Sequence, residues 1–220
     1  MHILSKFFRL VKKFGLRKAI YRSLIYVSSK KEDASYADYK QKYFKGINGD
    51  VVEIGVGYGS NFTYYGKIGN LTVIEPDIID RDDLRNKLER VCAKHYTLIE
   101  KPFEDASLKP LSADVIIATL LFCSIRDAAQ LLTNIHETLK PGGKFFFLEH
   151  IRSKSRMRRM MQWIVNPLWR GISGRCQCIR ATDTQLLTDN RFTAVSHEYF
   201  RTIAGFPWVK DHVIVVLEKK

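Results

Sequence analysis

The chain has 220 residues, 45% hydrophobic and 27% charged, the balance of an ordinary globular protein with room for one full core. No uncharged apolar run of roughly 18 residues occurs, so no transmembrane helix is predicted, and no internal repeat or low-complexity tract is present. The net charge of +13 is unevenly placed: residues 1–31 hold nine of the 36 Lys/Arg and no Asp or Glu, leaving 27 basic against 23 acidic residues, or +4, in the remainder. A remainder so close to neutral argues against nucleic acid as a partner.

In chain order, residues 3–27 read as one amphipathic helix. Ile3, Leu4, Phe7, Phe8, Val11 and Phe14 recur at spacings of three and four, and Lys6, Arg9, Lys13, Arg17 and Lys18 mostly fill the other side. This basic arm, residues 1–31, has three readings. It rests on an anionic membrane surface without spanning it, it packs on the domain as a lid, or it is an organelle presequence. Residues 32–220 are expected to form the domain proper.

Asp33 is placed to cap a second helix running to about Phe44. Val51–Ile54 reads as a short buried strand ending in a glycine-rich turn, and Leu71–Glu75 as a second strand. Asp80 starts a charged helix to about Ala93. Tyr96–Ile99 and Asp114–Thr119 follow as strands, the latter almost wholly apolar, as a strand covered on both faces should be. Ser124 with Asp127 resembles a helix cap, and the helix behind it aligns Ala128, Leu131, Leu132, Ile135 and Leu139. Pro141-Gly142-Gly143 stops that helix and Lys144–Glu149 is a fifth strand. After a basic, Trp-containing insert, Ala194–Phe200 and His212–Leu217 supply two more. The alternation predicts an α/β fold, a Rossmann-like, mostly parallel seven-stranded sheet with helices on both faces.

The glycine-rich turn is Glu53-Ile54-Gly55-Val56-Gly57-Tyr58-Gly59. Glycines there permit a tight turn and let a ligand lie against bare backbone. The dinucleotide fingerprint would place the third glycine one residue later, where Ser60 stands. Gly-x-Gly-x-Gly preceded by an acid is instead the form of class I methyltransferases, which use S-adenosylmethionine. Glu75, ending the second strand 20 residues after Gly55, can accept hydrogen bonds from both hydroxyls of a ribose. Tyr36-Ala37-Asp38-Tyr39-Lys40 matches the Tyr-x-x-x-Lys of short-chain dehydrogenases but precedes the glycine loop instead of following it. It is read as the surface of the second helix.

In this fold the loop carrying Phe103-Glu104-Asp105 reaches toward an adenine, which makes these residues pocket candidates. A plain polar loop is the competing reading. Thr119-Leu120 opens the end of the fourth strand, where methyl group and acceptor should meet, and it lacks the Asn/Asp-Pro-Pro-aromatic element of base-amino methyltransferases. Cys92, Cys123, Cys176 and Cys178 form no disulfide framework, and Cys176-Gln177-Cys178 is not a zinc spacing. The cysteines therefore predict a reducing, cytoplasmic compartment and no metal site.

With these residues in hand, the chain from about residue 50 to 218 resembles the methyltransferase-like thiol S-methyltransferases, membrane-associated enzymes that methylate alkyl thiols. The resemblance extends more widely to ubiquinone/menaquinone and phospholipid methyltransferases. It is carried by the glycine motif continuing into Asn61-Phe62 and Tyr64-Tyr65, by Thr119-Leu120 with Cys123-Ser124-Ile125, and by Leu139-Lys140-Pro141-Gly142-Gly143. Glu149-His150 and Pro167-x-Trp169 followed by Cys176 and Arg180 complete it. Val56 and Tyr58 stand where Cys and Thr are usual, Asn166 where Asp is usual, and the basic arm replaces an apolar anchor.

The resemblance implies S-adenosylmethionine as cofactor, with Glu53, Gly55, Gly57 and Gly59 around its methionine part and Glu75 on its ribose. Asn61, Pro76, Phe103, Glu104, Thr119 and Leu120 complete the expected pocket. It implies a small lipophilic thiol as acceptor, the alternative being a lipid, quinone or other small molecule methylated at a membrane surface. His150, ending the fifth strand, is the candidate base or thiolate orienter, with a purely structural role as the competing reading.

Overall fold

A computed structural model describes residues 33–220 except 79, 92 and 174, together with residues 11, 12, 15, 16 and 19. The expectations for the arm over 3–27 therefore lie outside the described residues, as does the surrounding of Cys92. Residues 33–44 are helical (α1), so Asp33 sits within the helix and not before it.

Seven strands form one sheet: β1 (Val51–Ile54), β2 (Ile68–Ile74), β3 (Ala93–Ile99), β4 (Ala113–Thr119), β5 (Leu139–His150), β6 (Phe192–Arg201) and β7 (Asp211–Lys219). Their order is β3-β2-β1-β4-β5-β7-β6. The first five run parallel, and β7 is inserted antiparallel between β5 and β6. The chain reverses its direction of travel across the sheet between β1 and β4. A crevice at the carboxyl ends of those strands is where open α/β sheets bind ligands.

Period-two alternation divides the core. Val52 and Ile54 of β1, Ile116 and Ala118 of β4, and Phe145 and Phe147 of β5 face one side. There they meet Leu131, Leu132 and Ile135 of α3 (Ala128–Thr138). Val51, Val115, Ile117, Phe146 and Leu148 face the other side, against Phe44 of α1 and Leu84 and Leu88 of α2 (Arg81–Leu88). Both faces are thus dry, which is why the central strands are apolar at successive positions.

Several expected boundaries shift for local reasons. Asp80 caps α2 by accepting from the Asp83 amide, but the helix stops at Leu88 because β3 already begins at Ala93, paired with Ile68. Asp127, not Ser124, caps α3, accepting from the Gln130 amide at 2.9 Å. β5 begins at Leu139, opposite Ala113. The Pro141-Gly142-Gly143 segment forms an irregularity before regular pairing resumes at Lys144 with Val115. The basic insert contains a 17-residue helix, α4 (Arg156–Ile172), and a short one, α5 (Thr182–Leu187). Among the described residues no helix is long and apolar enough to cross a membrane.

Candidate active site

β1 delivers the glycine loop to the reversal point. Gly57 has φ +54°, and a Cβ added there would meet nothing within 4 Å. Its bare face opens onto space that a ligand can occupy. Gly59 has φ +68° for a different reason: its Cβ would lie 2.8 Å from the Phe62 ring. The loop is tied to β2 through Glu75, whose carboxylate accepts from the Gly57 amide at 2.9 Å and from the Asp77 amide at 3.0 Å. These two bonds fix the carboxylate and leave lone pairs for two adjacent hydroxyls.

Beneath the loop, Glu53 is fully buried, accepting from Tyr65 Oη at 2.6 Å and from Asn61 Nδ2 at 2.8 Å. Burial lifts its pKa from 4.5 to about 7, against the lowering effect of those two hydrogen bonds. Asn61 Nδ2 also donates to Thr119 Oγ1 at 3.0 Å, joining the glycine loop to β4. Asn61 Oδ1 is buried with no hydrogen-bond partner. Leu120 follows in the left-handed region at φ +53°, a strained conformation for a branched side chain and one that concentrates at functional sites.

Bare backbone at Gly57, a fixed carboxylate at Glu75, a buried carboxylate at Glu53 and a spare acceptor on Asn61 suit a nucleoside carrying an ammonium-bearing chain. That is the chemistry of S-adenosylmethionine. Phe103 is buried in a short turn after β3, while Glu104 and Pro76 are exposed.

The Tyr36 and Lys40 pair corrects an expectation, because both are buried. Lys40 Nζ donates to Asp33 at 2.9 Å and to Ser60 Oγ at 3.0 Å, so α1 roofs the glycine loop. Tyr36 Oη lies 2.9 Å from His212 Nε2. Burial and nearby His150 push His212 down to about 3, so it is neutral. Its Nδ1–H then donates to the Lys210 carbonyl, leaving Nε2 to accept from Tyr36. Sequence reasoning also missed Tyr65, Cys176 and Trp169 as partners of site residues. Only the fold brings them there.

At the ends of β4 and β5 lies a second group. His150 is buried, and its Nε2 is 3.1 Å from Cys176 Sγ, to which Trp169 Nε1 also donates at 3.2 Å. Glu149, wholly buried, accepts from the Cys123 amide at 3.1 Å. Burial raises its pKa, with His150 acting the other way. His150, the residue named from the sequence as candidate base, thus lies at the end of β5 with its Nε2 against a sulfur belonging to the protein.

Comparison with known proteins agrees with this geometry. The family description "Methyltransferase domain" matches residues 28–196. Human thiol S-methyltransferase TMT1B is 26% identical over 194 residues, covering 83% of this chain and 79% of the relative. The rat TMT1B is 29% identical over 150 residues, 64% of this chain, and that match spans only 60% of the rat protein. Among solved structures, a SAM-dependent methyltransferase from Leishmania major superposes with a TM-score of 0.60 at 12% identity, covering 91% of this chain and 76% of that one. A Methanosarcina mazei SAM-dependent methyltransferase gives 0.59 at 14%, covering 77% and 92%. At such identities the structures show a shared fold.

Proposed function

Because the chain belongs to the methyltransferase-domain family, as a class I enzyme using S-adenosylmethionine, we propose that its acceptor is a small lipophilic thiol. The observation that carries the reading is the likeness to human thiol S-methyltransferase TMT1B across 83% of this chain. His150, at the end of β5 with its Nε2 3.1 Å from the Cys176 sulfur, lies in surroundings that accommodate a thiol.

S-adenosylmethionine supplies an electrophilic methyl group on a positively charged sulfonium. Glu53, Asn61 and the bare backbone at Gly57 would hold its amino-acid end, and Glu75 its ribose. Leu120, an exposed apolar side chain at the end of β4, makes that end of the crevice less polar, and a dissipating positive charge favours a weakly polar setting. What remains is positioning of the acceptor and removal of its proton, since the thiolate is the nucleophile and a free thiol has a pKa near 8.5. His150 is the group assigned to that proton.

The test is methyl transfer from labelled cofactor to alkyl thiols, quinols and phosphatidylethanolamine. Thiol methylation is expected, falling on His150→Ala with cofactor binding intact. Methylation of the quinol or lipid without the thiol would reject the reading. A specific observation favours that second acceptor class. The exposed face of α4 carries Met157, Met160, Trp163, Ile164, Leu168 and Ile172 at helical spacing, flanked by exposed Arg156, Arg159 and Arg170. Such a face suits an anionic membrane surface, where lipid and quinone acceptors reside.

A further inference from the structure

We propose that Cys123, His150 and Cys176 form a binding site for a soft divalent cation, zinc by the chemistry of its donors. Cys123 Sγ, His150 Nε2 and Cys176 Sγ all lie within 4.8 Å of one another, and all three residues are buried. Tetrahedral ligands at 2.0–2.3 Å from zinc sit roughly 3.4–3.8 Å apart, so small side-chain movements would complete the geometry. Two thiolates and a neutral imidazole compensate the charge of the ion, and the buried carboxylate of Glu149, 3.7 Å from His150 Nε2, adds negative charge beside it.

The three donors come from separate segments, and the fold holds those segments together. Cys123 is fixed through its amide on Glu149 and through its carbonyl, which accepts from the Gln177 amide at 2.9 Å. The Arg180 guanidinium donates to the carbonyls of Phe122 and Ile125, pinning the Cys176 loop against the β4 exit. Trp169 Nε1–H, aimed at Cys176 Sγ, is the kind of supporting donor that stabilises a metal-bound thiolate. Cys178 packs in the same buried cluster, but its Sγ is turned to the Gln162 carbonyl at 3.5 Å and it is not one of the three grouped donors. The three ligands are 27 and 26 residues apart in sequence, so no spacing motif announces them.

Three protein ligands leave a fourth position, the mark of a catalytic rather than a purely structural zinc site. Its use, unlike the site itself, rests on the thiol reading. The acceptor sulfur takes that position as thiolate, its proton passing to solvent. A new bond then forms between that sulfur and the methyl carbon. The bond from methyl to sulfonium breaks, and its electron pair goes to the departing sulfur. With the cation bound, His150 serves as its ligand and the cation lowers the thiol pKa, so the proton-accepting role given to the imidazole above belongs to the metal-free protein alone.

Full-length protein purified without chelator is expected to carry about one zinc per chain by elemental analysis. After chelation, Co²⁺ titration should produce the sulfur-to-cobalt charge-transfer band. Cys176→Ser and Cys123→Ser should each lower zinc affinity by more than the roughly 10–100-fold that loss of a supporting hydrogen bond costs, whereas Cys178→Ser keeps the band. Wild-type protein that binds S-adenosylmethionine but neither zinc nor Co²⁺ overturns the site, as does a band that survives in the Cys123→Ser/Cys176→Ser pair. Zinc bound without thiol methylation keeps the site and rejects the thiol acceptor. Full thiol methylation by metal-free protein rejects the catalytic use.

Discussion

Two residues of the glycine loop region are proposed to serve the cofactor by opposite means. Gly57 contributes by having no side chain. Gly57→Arg places a long cation in the open face and forces a left-handed backbone on a residue with a Cβ, at about 1–2 kcal/mol. Calorimetry should show binding of S-adenosylmethionine lost while the circular dichroism of the fold is kept; unchanged affinity would remove Gly57 from the pocket. Glu53 contributes a charge that the fold resists. Its folded pKa of about 7 exceeds the ordinary 4.5, so the native state holds a proton that the unfolded chain releases between those values. The associated stability is complete below pH 4.5 and disappears as pH rises through 7, roughly 3 kcal/mol in all. The thermal unfolding temperature should therefore fall from pH 5 to 8 in the wild type and much less in Glu53→Gln. An ammonium group nearby favours the ionised carboxyl, so cofactor affinity should climb with pH through about 7. A Glu53→Gln variant with the same slope would place the titrating group elsewhere. At this scale the glycine turn and the place of Glu75 at the end of β2 were readable because they follow from local backbone, while the roles assigned to them rest on the resemblance. Tyr65 Oη and Asn61 Nδ2 were not legible as the donors that hold the Glu53 carboxyl, since only packing sets their distances to it.

Among the elements, α4 departs most from what its sequence suggests. Its buried positions are Gln162, Asn166 and Trp169. Gln162 takes the Ser153 amide on Oε1 and donates to the carbonyls of Ile151 and Trp208, while Asn166 Oδ1 takes the Cys178 amide. The polar face thus points inward, serving as a hydrogen-bond hub for the β5 exit and the Cys178 loop, and the apolar stripe is left outside, Trp163 at 70% exposure. A reading that expects polar residues outward leaves this segment as an insert. For the same reason the Tyr36 and Lys40 pair was misplaced, because a charged residue on α1 gave no sign of being buried beneath Ser60. An exposed stripe of this size invites a partner surface. Full-length protein is expected to co-sediment with anionic vesicles, less so in high salt, and Trp163→Glu with Ile164→Glu should reduce that binding several-fold. Equal sedimentation by the variant would leave the attachment to residues 3–27.

For the molecule as a whole, the mostly parallel seven-stranded α/β sheet was legible from the alternation of elements, whereas the strand order, with β7 between β5 and β6, was not. The grouping of Cys123, His150 and Cys176 was not legible either, because it depends on how the chain beyond β5 folds back over the β4 exit. The sheet and the crevice lie within residues 33–220, so a chain starting at Asp33 should bind S-adenosylmethionine within about threefold of the full-length protein, under roughly 1 kcal/mol. A much larger loss would make the arm a lid. The insertion of β7 between β5 and β6 sets the timetable of biosynthesis. A nascent chain that has left the ribosome through β6 still lacks the strand that joins its two halves. Until Asp211–Lys219 emerges, one edge of β5, with Phe145, Phe147 and Leu148, offers open backbone to any neighbouring strand. Translation that halts before Asp211 should yield insoluble protein bound by chaperones, whatever the state of the cofactor pocket already formed upstream.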